Sequence, residues 1–218
     1  MDDGNHGKKA RLSVDERRRQ LLELGQALFA SRNYTEVSID EIAAAAQVSK
    51  GLLYHYFPSK RAFYLQTISA AASRLQEMVQ PDPTLPPEVR GYRGVAAYLE
   101  FVEQRRDAYT TLLRSAAAGD AEVHAIVEST RLAVVEQSCR AVGVDASRPI
   151  YRLALRGWVG QVEATCAWWL EHQQPDRDAV LRMLALALHQ TFLTAATMDP
   201  EAGLKPEDLP SGLPSFRT

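Results

Sequence analysis

The run from Lys50 to Tyr56 gathers side chains suited to nucleic acid. Lys50 offers ammonium donors to a phosphate or a guanine edge. Gly51 has no side chain, so its backbone can come close to a partner. Leu52 suits a thymine methyl. Tyr54, His55 and Tyr56 put ring surface and polar tips at consecutive positions. Such positions spread around a helix, so at least one of the three is exposed. An exposed aromatic cluster beside a lysine is better explained by a partner than by solvation. Leu53 and Phe57 read as core. Ser59 caps the next helix, whose free N–H groups and dipole attract phosphate, and Lys60 adds a charge there. Thr35 and Ser38 supply hydroxyls and free N–H groups for the opposite phosphate strand.

Two short helices must position these groups. Ser38 and Glu41 have the spacing of a capping box, with Val37 and Ile42 as its hydrophobic staple. Ser49 repeats the N-cap, and Val48 with Leu53 the staple. Two helix starts so close together leave room for a very short turn, the arrangement of a helix-turn-helix whose second helix enters the major groove. An earlier helix starts at Ser13 with Glu16 as capping partner, and presents Leu21, Leu24, Gly25, Leu28 and Phe29 on one face. Arg17, Arg18 and Arg19 read as a solvated face.

From about Leu21 to Leu65 the chain resembles the TetR family of bacterial one-component transcriptional regulators. The elements that carry the resemblance are LF, YTEVSIDEIA, VSKGLLYHYF and SK. It implies an all-helical DNA-binding N-terminal domain, a divergent helical C-terminal domain, and a homodimer on a palindromic operator that a small molecule releases. It places Lys50, Gly51, Leu52, Tyr54, His55 and Tyr56 on the DNA-facing helix and Lys60 on phosphate. Gln47 departs from it, standing where the family usually has glycine. If that turn requires positive φ, a non-glycine residue there costs on the order of 1 kcal/mol.

Composition narrows the field. The chain has 218 residues and a net charge of −2, which argues against indiscriminate coating of nucleic acid. Residues 1–80 hold 11 Lys/Arg and 9 Asp/Glu, the remainder 14 and 18, so the mild basic bias lies at the expected end. Lys8, Lys9 and Arg11 form a basic arm. No secretory signal or stretch of about 20 apolar residues is read, so a cytoplasmic location and no membrane partner are expected. Cys139 and Cys166 read as buried thiols. The five histidines lack metal-ligand spacing. No metal, cofactor or catalytic residue is expected, and the chain is not read as an enzyme.

After a helix from Ser59 to Val79 and a proline-rich loop from Gln80 to Gly91, helical patterning covers 92–106, 107–118, 121–141, 147–172 with Ser147 as N-cap, and 176–198 with Asp176 as N-cap. The predicted domains are 1–60, a helix-turn-helix DNA-binding unit of three helices; 61–199, a helical effector-binding and dimerisation unit; and 200–218, a loosely ordered tail. The fold class is all-α, with about nine helices.

The helix from Ser147 is apolar on two sides, and a helix of that kind buries both. One stripe holds Ile150, Leu153, Gly157, Trp158 and Gln161. The other holds Leu155, Val159, Val162, Cys166 and Trp169, and with Leu184, Leu188 and Phe192 of the last helix it is read as the dimer interface, two helices from each subunit. Gly157 and Gly160 permit close helix approach. Tyr98, Phe101, Gln104, Tyr109, Leu113, Trp158 and Glu163 are candidate lining for an effector pocket. The expected partners are double-stranded operator DNA, a small-molecule effector and a second copy of the chain, and the expected role is a repressor released by its effector. Two other classes stay open from sequence: a helical interaction or ligand-binding protein without sequence-specific DNA binding, and a helical enzyme whose site is assembled in space.

Overall fold

In the computed structural model, residues 13–30, 32–117 and 119–209 are described. They form α1 (Val14–Ala30), α2 (Ile39–Ala45), α3 (Lys50–Tyr56), α4 (Lys60–Met78), α5 (Pro87–Gln104), α6 (Arg106–Ala117), α7 (Ala121–Ala141), α8 (Pro149–His172) and α9 (Arg177–Met198). No strand occurs among the described residues. The basic arm lies outside them. The chain divides into two units, 1–67 and 68–218, so the boundary falls inside α4 rather than at residue 60.

Local signals set the helix starts of the first unit. Ser13 and Glu16 close one capping box: the Ser13 N–H donates to Glu16 Oε2 (2.7 Å), and the Glu16 N–H donates to the Ser13 hydroxyl (3.2 Å). Ser38 and Glu41 close another with the same pair of distances. Ser49 accepts from the Leu52 N–H (3.1 Å) and Ser59 from the Ala62 N–H (3.0 Å). The core of this unit is Leu21, Phe29, Val37, Ile42, Leu53, Phe57, Phe63 and Tyr64. Gly25 lets α1 and α4 meet closely, because a Cβ there would sit 2.5 Å from Thr67 Oγ1 and 2.7 Å from Phe63 Cζ.

In the second unit, α8 packs on α7 and α9, and α5 lies against α9. Two helix starts differ from the sequence reading. Helix α5 begins at Pro87, five residues before Tyr92, since proline at N1 gives up only an N–H that has no helical partner. Helix α8 begins at Pro149 with Arg148 as N-cap. Ser147 is not the cap; its N–H and hydroxyl both donate to the Asp145 carboxylate (2.8 and 2.6 Å). The segment after Asp199 is not wholly loose. Short 3-10 turns at Pro200–Ala202 and Pro206–Asp208 bring Leu204 and Leu209 onto the core. Helix α9 is long and apolar enough to cross a membrane by length and composition alone. Here Val180, Leu181, Leu184 and Phe192 sink into the protein core instead.

Candidate nucleic-acid interface

Helix α2 ends in a Schellman turn that sets the angle of entry into α3. The Val48 N–H donates to the Ala43 carbonyl and the Gln47 N–H to the Ala44 carbonyl, both at 3.0 Å. Gln47 takes φ 54°, the left-handed conformation that favours glycine. We therefore expect Gln47→Gly to relieve strain of about 1 kcal/mol and to raise the unfolding temperature by about 2–4 °C, measured by thermal melting; an unchanged or lower midpoint would argue against strain there.

Helix α3 seals one face and opens the other. Leu53 and Phe57 are fully buried. Ser49, Lys50, Gly51, Leu52, Tyr54 and His55 are exposed, with Leu52 at 39% and Tyr54 at 46%. Tyr56 is half-buried and meets the His55 ring edge-on at 5.5 Å between centroids. Nothing in the subunit demands glycine at 51, where a Cβ would find only Ser49 Oγ at 3.9 Å. The residue thus leaves a shallow backbone surface facing outward.

The flanking groups lie on the same unit. Thr35 and Ser38 are exposed. Ser38 and Ser49 spend their oxygens as acceptors in the caps, which leaves each hydroxyl proton to donate to a phosphate. The half-buried Lys60 holds its ammonium 4.2 Å from the centre of the Tyr34 ring, a cation–π contact that fixes where the charge sits.

Three cations behave in ways that spacing does not reveal. Arg18 is no solvated arginine. It donates to the Tyr56 carbonyl (3.3 Å) and to Gln66, and lies over the Phe57 ring at 5.1 Å, tying α1 to the end of α3. Arg32 pairs with Glu41 at 3.0 Å. Lys50 pairs with Asp40 across the turn.

The Glu41 carboxyl is held down at about 2, first by the Ser38 backbone N–H and then by Arg32. Folding lowers its pKa from an ordinary 4.5. Its stabilisation is therefore complete above 4.5 and lost as pH falls through about 2. Glu41→Gln keeps a capping acceptor but no charge. Melting curves should show a deficit for this variant at neutral pH that closes on acidification; a deficit constant with pH would contradict this account.

The residues read as an effector pocket are only partly brought together. Tyr98 and Tyr109 share a hydroxyl–hydroxyl hydrogen bond of 2.9 Å, and burial raises the pKa of both. Burial also pushes the Cys166 thiol to about 12, which leaves it protonated and inert. Phe101 is buried with the Arg105 guanidinium over its ring at 4.6 Å, and Leu113 packs partly buried on the core. Trp158 is buried and its indole N–H donates to the Leu184 carbonyl at 3.2 Å. Glu163 accepts two bonds from Arg131, at 2.9 and 2.6 Å, and so is already neutralised. Gln104 faces solvent and donates to Glu100, so it does not line an interior site. A cleft lined by Glu136, Arg140, Gly143, Val144, Asp145 and Ala146 touches none of these residues. Among the described residues, no group of three or more His, Cys, Asp or Glu side chains is placed to hold a metal.

The stripe read as a dimer interface lies inside one subunit. Leu155, Val159, Val162, Cys166, Trp169, Leu184 and Phe192 are buried in its core, and Leu188 packs half-buried against it. Side chains already covered by their own chain have no surface to offer another. The opposite face of α8 is open: Leu153 is 73% exposed and Trp168 53%, with Gly157, Gln161 and Ala164 between them. On α9, Met183 and Leu186 are likewise exposed. A Cβ at Gly157 or Gly160 would meet nothing within 4 Å.

Known proteins share this all-helical fold and its N-terminal helix-turn-helix. Residues 21–67 match the model for bacterial regulatory proteins of the tetR family, and residues 87–190 match that for the tetracyclin repressor-like C-terminal domain. The chain is 30% identical over 185 residues to the HTH-type transcriptional activator FasR of Mycolicibacterium smegmatis, covering 82% of this chain and 84% of that protein. It is 29% identical over 192 residues to the HTH-type transcriptional regulator HbdR of Aromatoleum, covering 84% and 83%. A crystal structure of a tetR-family transcriptional regulator from Streptomyces coelicolor superposes with a TM-score of 0.76 at 31% identity, covering 88% of this chain and 87% of that one.

Proposed function

This chain belongs to the TetR family of bacterial regulatory proteins and is a DNA-binding transcriptional regulator, and on that premise we propose that it grips operator DNA through α3 as a homodimer and is released by a small-molecule effector. The observation that carries the DNA assignment is the division of α3 into a sealed face, Leu53 and Phe57, and an open one of Lys50, Gly51, Leu52, Tyr54 and His55. On this reading the open face reads base edges, while Thr35, Ser38, Ser49 and Lys60 hold the phosphate backbone on either side. Tyr56 lies at the edge of the contact.

The open faces of α8 and α9 support a two-fold interface. Leu153, Trp168, Met183 and Leu186 supply apolar area, and Gly157 with Gly160 let two copies of α8 approach closely. We assign the effector to the second unit, near the paired hydroxyls of Tyr98 and Tyr109, in the apolar core that also takes in Phe101 and Leu113; such a setting suits a molecule with an apolar body and one polar group. It acts by binding better to a conformation that holds DNA poorly. Bound across a promoter, the dimer blocks transcription until the effector arrives; among its relatives one carries the name activator. The work is done where chromosomal DNA lies, in the cytoplasm.

Gel-shift titration of the protein against fragments of the organism's own DNA tests the reading. Retention of specific fragments that is reversed by one compound class supports it; retention of every fragment alike would contradict it.

A further inference from the structure

We propose that Asp40 is an internal counter-ion for the recognition helix, a specificity-determining residue that stands in for phosphate on Lys50 until DNA displaces it. The inference rests on the reading that α3 faces DNA. Lys50 opens α3 and is paired with the Asp40 carboxylate in the first turn of α2. Both side chains stay open to solvent, 51% exposed for Lys50 and 67% for Asp40, so a phosphate or a guanine edge can reach the ammonium. The neighbouring cation Arg32 is occupied in the same manner by Glu41 of the same turn. The N-terminal end of α2 thus carries two carboxylates beside the proposed DNA face, each holding a cation that could otherwise serve phosphate.

This arrangement has two consequences for binding. A lysine that touches phosphate usually expels one condensed cation from DNA. When Lys50 leaves Asp40, the freed carboxylate lies within the cation atmosphere of the DNA and retains a cation, so net ion release from this contact is small. The carboxylate also repels phosphate wherever Lys50 gains no base contact in return. Non-specific binding is weakened most, because a base-edge contact compensates at the correct site and nothing does elsewhere.

The test uses the full chain and a fluorescent mixed-sequence duplex about three helical turns long, read by anisotropy over a range of salt concentrations. Four proteins are compared: wild type, Asp40→Asn, Lys50→Met and the double variant. Asp40→Asn is expected to tighten binding about three- to tenfold at low salt, and to steepen the slope of log affinity against log salt by about 0.9 for each subunit. In the Lys50→Met background the same substitution removes only the carboxylate's repulsion of phosphate and has no ion pair to release, so its gain should be clearly smaller than in wild type. A misfolded variant binds more weakly, so a gain in affinity cannot come from structural damage. No gain from Asp40→Asn, or an equal gain in both backgrounds, would overturn the proposal. Binding unchanged by Lys50→Met alone would overturn the placement of α3 on DNA, and the counter-ion with it.

Discussion

A variant carrying Lys50→Ala and Tyr54→Ala is expected to lose about a thousandfold in operator affinity while remaining a folded dimer. Both side chains are exposed on α3, so neither contributes to the core of the first unit. At roughly 1 kcal/mol for each base-directed contact, two contacts in each of two subunits amount to about 4 kcal/mol. The loss should fall mainly on specific sites. Lys60→Ala should behave differently on the proposed phosphate role of its ammonium, which sits over Tyr34: binding should weaken alike on all sequences, with a salt slope shallower by about one for each subunit. Isothermal titration with operator and mixed-sequence duplexes separates the two patterns. A double variant that keeps wild-type operator affinity would remove α3 from the interface.

The second large effect concerns assembly. Leu153→Glu with Trp168→Glu should convert the dimer to folded monomers. In the proposed interface a two-fold axis would place each new carboxylate at the contact twice, and an unpaired charge in an apolar interface costs several kcal/mol. The dissociation constant should therefore rise by at least about a thousandfold. Both residues are exposed within one subunit, so the fold itself has little to lose. Val162→Asp is the contrasting case: Val162 is buried, and a charge there should unfold the second unit instead. Light scattering after size exclusion, with circular dichroism as the check on folding, distinguishes the outcomes. A dimer that survives both glutamates would place the interface elsewhere.

Much of the first unit was legible because its signals are local. Ser38 with Glu41, and Ser49 before Leu52, are hydrogen-bonded pairs three residues apart, which spacing specifies directly. The inward turn of Leu53 and Phe57 follows from helical period alone. The misfit at Gln47 was legible too, as a non-glycine residue at a turn that proves to have positive φ. What escaped was long-range. The arginine triplet gives no sign that Arg18 reaches Tyr56 and Gln66, residues 38 and 48 positions away. No periodic rule pairs Asp40 with Lys50 across a turn. The two apolar stripes of α8 were equally plausible inner faces, because Leu153 and Leu155 have the same chemistry; only packing against α7 and α9 chose Leu155 for the core. Pro86 and Pro87 read as a helix stop, and instead one caps α5 and the other starts it.

Recovery of bound fragments from the organism's own DNA, with wild type and the Lys50→Ala, Tyr54→Ala variant side by side, tests the central claim most directly. Wild type should enrich a small set of fragments that share an inverted repeat, with half-sites one helical turn (about 34–36 Å) or a multiple apart, and the variant should lose that set. Enrichment of no common sequence, or of the same set by both proteins, would contradict a dimeric regulator that reads DNA through α3.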